Sequence, residues 1–212
     1  MVFGEDHIML NKISIFPITV FKTKVSENDS LKTLLCPKIL KNSDYLTIPQ
    51  DWTTNKIKTS FDGEPEGLEL LNQNSTNFNL LVQKYTECMC EIFKKDFKIS
   101  IPRIWYNVYT DGEYQEEHDH LTGPFTVPHF SCIHFLSFDP NQHKAPEFRD
   151  PLSQLRNLSI ELECGEVYVP QIKEGDLLIF PPYLRHWVPP SSKTDYPRIT
   201  LSFNLKVLEY GD

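Results

Sequence analysis

The chain has 212 residues, 40% of them hydrophobic and 12% aromatic, a composition that excludes a disordered polymer and is long enough to bury a core. Its formal net charge of −8 speaks against general binding to nucleic acid or to an anionic membrane. No apolar run is long enough to span a bilayer, and the opening Met1-Val2-Phe3-Gly4-Glu5-Asp6 lacks the basic and apolar regions of a secretory signal. Five scattered cysteines (Cys36, Cys88, Cys90, Cys132, Cys164) form no CxxC pair. The expectation is a cytoplasmic protein with reduced thiols.

In chain order, Ile13 to Thr23 reads as a strand broken at Pro17. Leu31 to Leu35 reads as a short helical turn, capped by Asp29 or Ser30 and stopped before Pro37. From Ser75 to Lys95 the apolar residues Phe78, Leu81, Val82, Tyr85, Cys88, Met89, Ile92 and Phe93 recur at helical spacing and predict a helix that packs one face on a sheet. After Lys98 the pattern changes to short β-rich runs: Ile101–Tyr109, Glu113–His120, Phe130–Phe138, Leu158–Leu162, Glu166–Val169, Asp176–Phe180, His186–Val188 and Ile199–Val207. Turns fall at Asp111-Gly112, Asp139-Pro140-Asn141, Lys173-Glu174-Gly175-Asp176 and Pro189-Pro190. The expected fold is mainly β with supporting helices, a jelly roll or small barrel. One domain is expected over 1–212, with a mixed α/β support at 1–99 and a β core at 100–212. Parallel α/β is disfavoured, since no helices alternate with these strands.

His118 and His120, separated by one residue on an extended segment, point to the same side of it. His186 follows Asp176-Leu177-Leu178-Ile179-Phe180 and a turn stiffened by Pro181 and Pro182, which would hold its ring in a fixed direction. Three imidazoles on one face leave the opposite face of a metal open, as catalytic rather than structural sites do. Asp119 should point away. In Arg198-Ile199-Thr200-Leu201-Ser202-Phe203-Asn204-Leu205 the polar residues share one face. That row is either the wet side of a sheet or an inward row in which Arg198, helped by Thr200, grips an organic carboxylate. Asn107 and Tyr109 share a strand face and either bind a small molecule beside the metal or satisfy neighbouring core groups. His134 reads as a satisfied core histidine, and His7, His129 and His143 carry no assignment. GxGxxG, P-loop, GxSxG and HExxH motifs are absent.

The run Trp105-Tyr106-Asn107-Val108-Tyr109, Gly112-Glu113-Tyr114-Gln115 and His118-x-His120 resembles the Fe(II)- and 2-oxoglutarate-dependent oxygenases. So do Gly175 to Pro181, His186, Arg198-Ile199-Thr200 and Phe203-Asn204. The likeness is to small oxygenases of bacteria and phages, similar at a distance to prolyl hydroxylases. It covers Ile101 to Val207 well and the first hundred residues loosely, through Ile15-Phe16-Pro17. The resemblance implies a double-stranded β-helix, with His118 and His186 as iron ligands and His120 where the family usually has a carboxylate. It implies that Arg198 and Thr200 bind the distal carboxylate of 2-oxoglutarate. Phe135 or His134 stands where relatives place a tyrosine, so Tyr109 or Asn107 takes that part. The implied reaction couples decarboxylation of 2-oxoglutarate to succinate with O₂-dependent hydroxylation of a C–H bond, and an amino-acid or peptidyl side chain is the expected substrate. Pro-rich segments at Leu121 to Pro128 and Ala145 to Pro151 are expected as lids or plain surface loops. A homodimer is the assembly to look for. Two alternatives stay open: a three-histidine oxygenase that chelates its substrate directly, and a non-catalytic jelly-roll binding module.

Overall fold

A computed structural model describes residues 18–46, 48–50, 52, 57–121, 128–153, 166–192 and 194–210. Expectations at Ile13–Pro17 and Leu158–Leu162, the loop at 122–127, and His7 and Cys164 lie outside the described residues. Eleven strands and two α-helices are present among them. They are β1 (Phe21–Lys24), α1 (Asn28–Ser43), β2 (Lys58–Thr59), α2 (Thr76–Phe93), β3 (Phe97–Ser100), β4 (Ile104–Tyr109) and β5 (Gln115–His118). Then follow β6 (Phe130–Ser137), β7 (Glu147–Arg149), β8 (Val167–Tyr168), β9 (Asp176–Phe180), β10 (His186–Val188) and β11 (Arg198–Tyr210).

The strands form two antiparallel sheets. The major sheet has the order β1-β9-β6-β11-β4-β2, with β3 also pairing β11; the minor one runs β5-β10-β7-β8. Every pairing between the described strands is antiparallel. The order departs far from chain order, as in a jelly roll. β1 and β2 bring strands from the N-terminal segment into the major sheet.

Period-two alternation assigns each central strand two faces. Ile104, Tyr106 and Val108 of β4, Cys132 and Leu136 of β6, Leu177 and Ile179 of β9, and Ile199, Leu201, Phe203 and Leu205 of β11 point to one side. There they meet Leu31, Leu35 and Ile39 of α1 and Leu81, Tyr85 and Met89 of α2, forming the main core. The opposite face carries Trp105, Asn107, Tyr109, Ile133, Phe135, Arg198, Thr200 and Ser202 into a cavity shared with the minor sheet. The polar row of β11 therefore turns inward.

α2 follows the expected pattern, its N-cap Ser75 accepting a hydrogen bond from the backbone N–H of Phe78 at 3.0 Å. α1 does not follow the expected short turn. It runs through Pro37 to Ser43, begins at Glu27 in a left-handed conformation (φ 59°), and has no side-chain cap from Asp29 or Ser30. Pro37 stands on the exposed side, while Leu31, Leu35 and Ile39 repeat at i, i+4 and are nearly or fully buried. Burying each such side chain is worth about 1.5–3 kcal/mol, and together they outweigh the ~3 kcal/mol cost of an interior proline.

β2, β3 and β7 go beyond the expected strands. Ile101–Tyr109 narrows to Ile104–Tyr109, and the N-terminal run retains Phe21–Lys24 among the described residues. The stretch Ala145 to Pro151 is not a plain loop, and its Pro146 lines the cavity. Its Glu147–Arg149 is β7, and Phe148 pairs with His186 in the minor sheet. Buried Phe148, packed with Phe180 and Leu184, holds it there. Gly112 and Gly175 take positive φ (71° and 82°) in the expected turns; a Cβ on Gly175 would stand 3.1 Å from the Cβ of Asn28. Cys36, Cys88, Cys90 and Cys132 are free thiols. No helix among the described residues is long and apolar enough to cross a membrane.

Candidate active site

Antiparallel pairing of β5 with β10 sets His118 directly opposite His186. His120 lies just past β5, where its backbone N–H donates to the Pro182 carbonyl at 2.8 Å. The proline turn therefore positions two of the three histidines. It leads into His186 and clamps the backbone of His120. The nearest ring nitrogens of His118, His120 and His186 all lie within 4.8 Å of one another, a spacing that one metal ion can bridge.

Hydrogen bonds at Nδ1 decide which nitrogen is free. His118 Nδ1 donates to the Glu116 carbonyl at 2.9 Å, and His186 Nδ1 to the Leu184 carbonyl at 3.0 Å. His120 Nδ1 donates to Asn204 Oδ1 at 2.8 Å, while that oxygen also accepts from Ser131 Oγ at 2.9 Å. All three acceptors lack a proton, so each Nδ1 carries the hydrogen and each Nε2 keeps its lone pair. His120 Nε2 is buried with no hydrogen-bond partner. Burial lowers the pKa of all three rings, His120 to about 4 and His186 well below the usual imidazole value, with mutual repulsion adding to the effect at His120 and His186. Neutral imidazoles with convergent lone pairs are the donor set a divalent transition metal takes.

Arg198 stands on the facing sheet and is 2% exposed. Cross-strand pairing places it beside Tyr109, whose ring centroid lies 3.7 Å from the guanidinium carbon. Nη1 donates to the Lys144 carbonyl at 2.6 Å, and Nε has no partner. Among the described residues lining the cavity there is no Asp or Glu. A buried cation without a carboxylate costs several kcal/mol, on the order of the penalty for any buried unpaired charge, and burial accordingly lowers its pKa. The cavity is built to receive an anion.

The other expected residues fall around these groups. Thr200 is buried in the lining, cross-strand from Asn107. Asn107 lines the cavity, yet its amide is engaged: Thr59 Oγ1 donates to Oδ1 at 2.7 Å, and Nδ2 donates to Ser202 Oγ at 3.3 Å. Tyr109 donates its hydroxyl to Gln115 Oε1 at 2.9 Å. Gln115, Asn204, Trp105 and Ser202 carried no individual role in the sequence. The polar row of β11 signalled Ser202 and Asn204 and the strand face shared with Asn107 signalled Trp105, while Gln115 appeared within the run Gly112 to Gln115 that carries the resemblance. Asp119 turns its carboxylate back on the Leu121 N–H. His134 is fully buried outside the site, between Tyr85 Oη (3.1 Å) and Asn28 Oδ1 (2.9 Å). His143 bridges the Asp139 N–H and the Tyr196 carbonyl, and His129 accepts from the Val207 N–H.

Residues 103–204 match the family model described as "Putative 2OG-Fe(II) oxygenase". The chain has no match among curated proteins. Among solved structures, it is similar to a Pseudomonas putida prolyl-4-hydroxylase, with TM-score 0.60 and 11% identity over 89% of this chain and 92% of that one. It is also similar to a viral collagen prolyl hydroxylase from Paramecium bursaria Chlorella virus-1 in complex with 2-oxoglutarate, with TM-score 0.52 and 10% identity over 88% and 94%. A third is HygX from Streptomyces hygroscopicus with nickel, 2-oxoglutarate and hygromycin B bound, with TM-score 0.58 and 10% identity over 89% and 83%. At such identities the likeness shows a common fold, the double-stranded β-helix. The family match spans all three histidines and the buried arginine. Residues 103–204 of this chain are therefore similar to the 2-oxoglutarate/Fe(II) oxygenase family, on a double-stranded β-helix that carries a His-x-His…His triad.

Proposed function

We propose that the protein is an Fe(II)/2-oxoglutarate-dependent dioxygenase that hydroxylates an amino-acid or peptidyl side chain, with decarboxylation of 2-oxoglutarate to succinate. The observation that carries this reading is the pairing of two unmet demands in one cavity. Three neutral imidazoles direct free lone pairs at one point, and a buried Arg198 faces them without a carboxylate. A dicarboxylate 2-oxo acid answers both.

His118, His120 and His186 would hold the iron, and Arg198 the distal carboxylate, with Tyr109, Thr200 and Asn107 around it. Three neutral ligands leave the metal its full double positive charge, and Arg198 adds another; dianionic 2-oxoglutarate offsets most of it. The bound iron would supply O₂ activation, while the protein fixes coordination and orientation. Asn107 frames Ser202 and Thr59 through bonds already made, so its part is to hold the cavity wall. Support for a side-chain substrate comes from the prolyl hydroxylases that share the fold.

The test is an anaerobic titration of the metal-free protein with Fe(II) and then 2-oxoglutarate, following the visible charge-transfer band. A saturable band, abolished in His186→Ala and weakened in Arg198→Ala, supports the reading. Iron binding without the band favours the three-histidine centre that chelates its substrate directly, a reading the all-imidazole donor set also suits. Absence of iron binding would leave a non-catalytic module.

A further inference from the structure

Gln115 is a residue that neither the iron triad nor the carboxylate anchor accounts for. It opens β5 three residues before His118, is 9% exposed and lines the cavity. Two contacts orient its amide. Oε1 accepts from the Tyr109 hydroxyl at 2.9 Å, and Nε2 lies 3.5 Å from His118 Nε2. Because His118 Nδ1 donates to the Glu116 carbonyl, His118 Nε2 bears a lone pair, so the amide must turn its NH₂ toward it. At 3.5 Å that contact is at the long limit of a hydrogen bond.

A metal on His118 takes the lone pair that Gln115 now shares. The NH₂ group stays pinned by Tyr109, at the edge of the metal's position, with its acceptor gone. A buried amide N–H left without an acceptor costs about 1–3 kcal/mol, and the oxygens by which a 2-oxo acid would chelate a metal on these histidines are acceptors able to remove that cost. Resting on the co-substrate reading above, we propose that Gln115 donates a hydrogen bond from Nε2 to the chelating end of the 2-oxo acid. Tyr109 then serves both ends of one ligand. Its ring packs against Arg198 at the distal carboxylate, and its hydroxyl orients Gln115 at the chelating end.

The experiment compares wild type, Gln115→Leu and Arg198→Met in anaerobic titrations with Fe(II), then with 2-oxoglutarate or with pyruvate, which chelates identically but lacks the second carboxylate. In Gln115→Leu, Fe(II) affinity without 2-oxo acid should stay close to wild type. Both 2-oxo acids should bind roughly ten- to a hundredfold more weakly, as expected for a lost charge-assisted hydrogen bond, and the charge-transfer maximum should move. Arg198→Met should weaken 2-oxoglutarate alone. Gln115→Asn, which retains an amide but shortens its reach, and Tyr109→Phe, which releases it, should give intermediate losses if Gln115→Leu fails to fold. Wild-type affinity and band position in Gln115→Leu would overturn the proposal. So would a parallel loss of Fe(II) itself, which would mean that Gln115 merely positions His118. A wild type with no band for either acid would overturn the underlying co-substrate reading, and this inference with it.

Discussion

His120 and Asn204 depend on each other at the scale of single residues. The amide oxygen of Asn204 takes the Nδ1 proton and so aims the lone pair of His120 into the site, while Ser131 holds Asn204 in turn. Partners of this kind typically change metal affinity by roughly 10–100-fold when removed. Asn204→Leu should therefore weaken Fe(II) binding by about that factor, with folding measured by circular dichroism intact. His120→Ala should weaken it further and alter the spectrum of the bound iron. Unchanged affinity and spectrum in His120→Ala would show that only two histidines ligate. The departure from a carboxylate at this position also has a charge consequence. A neutral imidazole makes the site hold its dianionic co-substrate more tightly than a carboxylate would, so His120→Asp should bind 2-oxoglutarate more weakly in equilibrium titration.

Among the elements, α1 shows how tertiary packing overrides a local breaker. Pro37 removes a backbone donor in mid-helix, yet Leu31, Leu35 and Ile39 stay seated on the sheet. Because Pro37 stands on the exposed side of the helix, opposite the buried Leu31, Leu35 and Ile39, Pro37→Ala should relieve the strain with little effect on packing. The expected gain is about 1–3 kcal/mol, reduced somewhat because alanine also frees the unfolded chain. It would be read as a higher denaturant midpoint at unchanged slope; a lower midpoint would mean that the helix needs the bend. β7 teaches the converse lesson. Its three residues contain one buried apolar side chain, Phe148, flanked by Glu147 and Arg149, and only pairing with β10 on one side and β8 on the other makes them a strand. Arg149 also forms a bidentate pair with Glu117 (2.7 and 2.8 Å), tying β7 to β5 across the minor sheet.

Over the whole molecule, the buried histidines make stability depend on acid. Burial lowers His118, His134, His143 and His186, with His120 falling to about 4 and His134 to about 3. Unfolded histidines titrate near ~6.5, so below that pH the unfolded chain binds more protons than the folded one. The stability of the metal-free protein should hold above about pH 6.5 and fall as pH drops toward about 4, by roughly 1.4 kcal/mol per pH unit for each histidine held neutral. Thermal unfolding across a pH series, with and without a divalent metal, checks this, and bound metal should oppose the loss. A midpoint constant down to about pH 4.5 would mean that these rings are hydrated and titrate normally. The sequence by itself determined the strand runs of β4, β6, β9 and β11, the alternation within β11, the amphipathic α2, and the candidate ligands His118, His120, His186 and Arg198, because period and residue chemistry are local properties. Only the tertiary structure decided that both faces of β11 are covered, with its polar row turned into the cavity, that Asn107 is already engaged by Thr59 and Ser202, and that Asn204 and Gln115 stand at the site. Those contacts join residues far apart in the chain, and a side chain's role is set by the acceptors and charges that meet it in space.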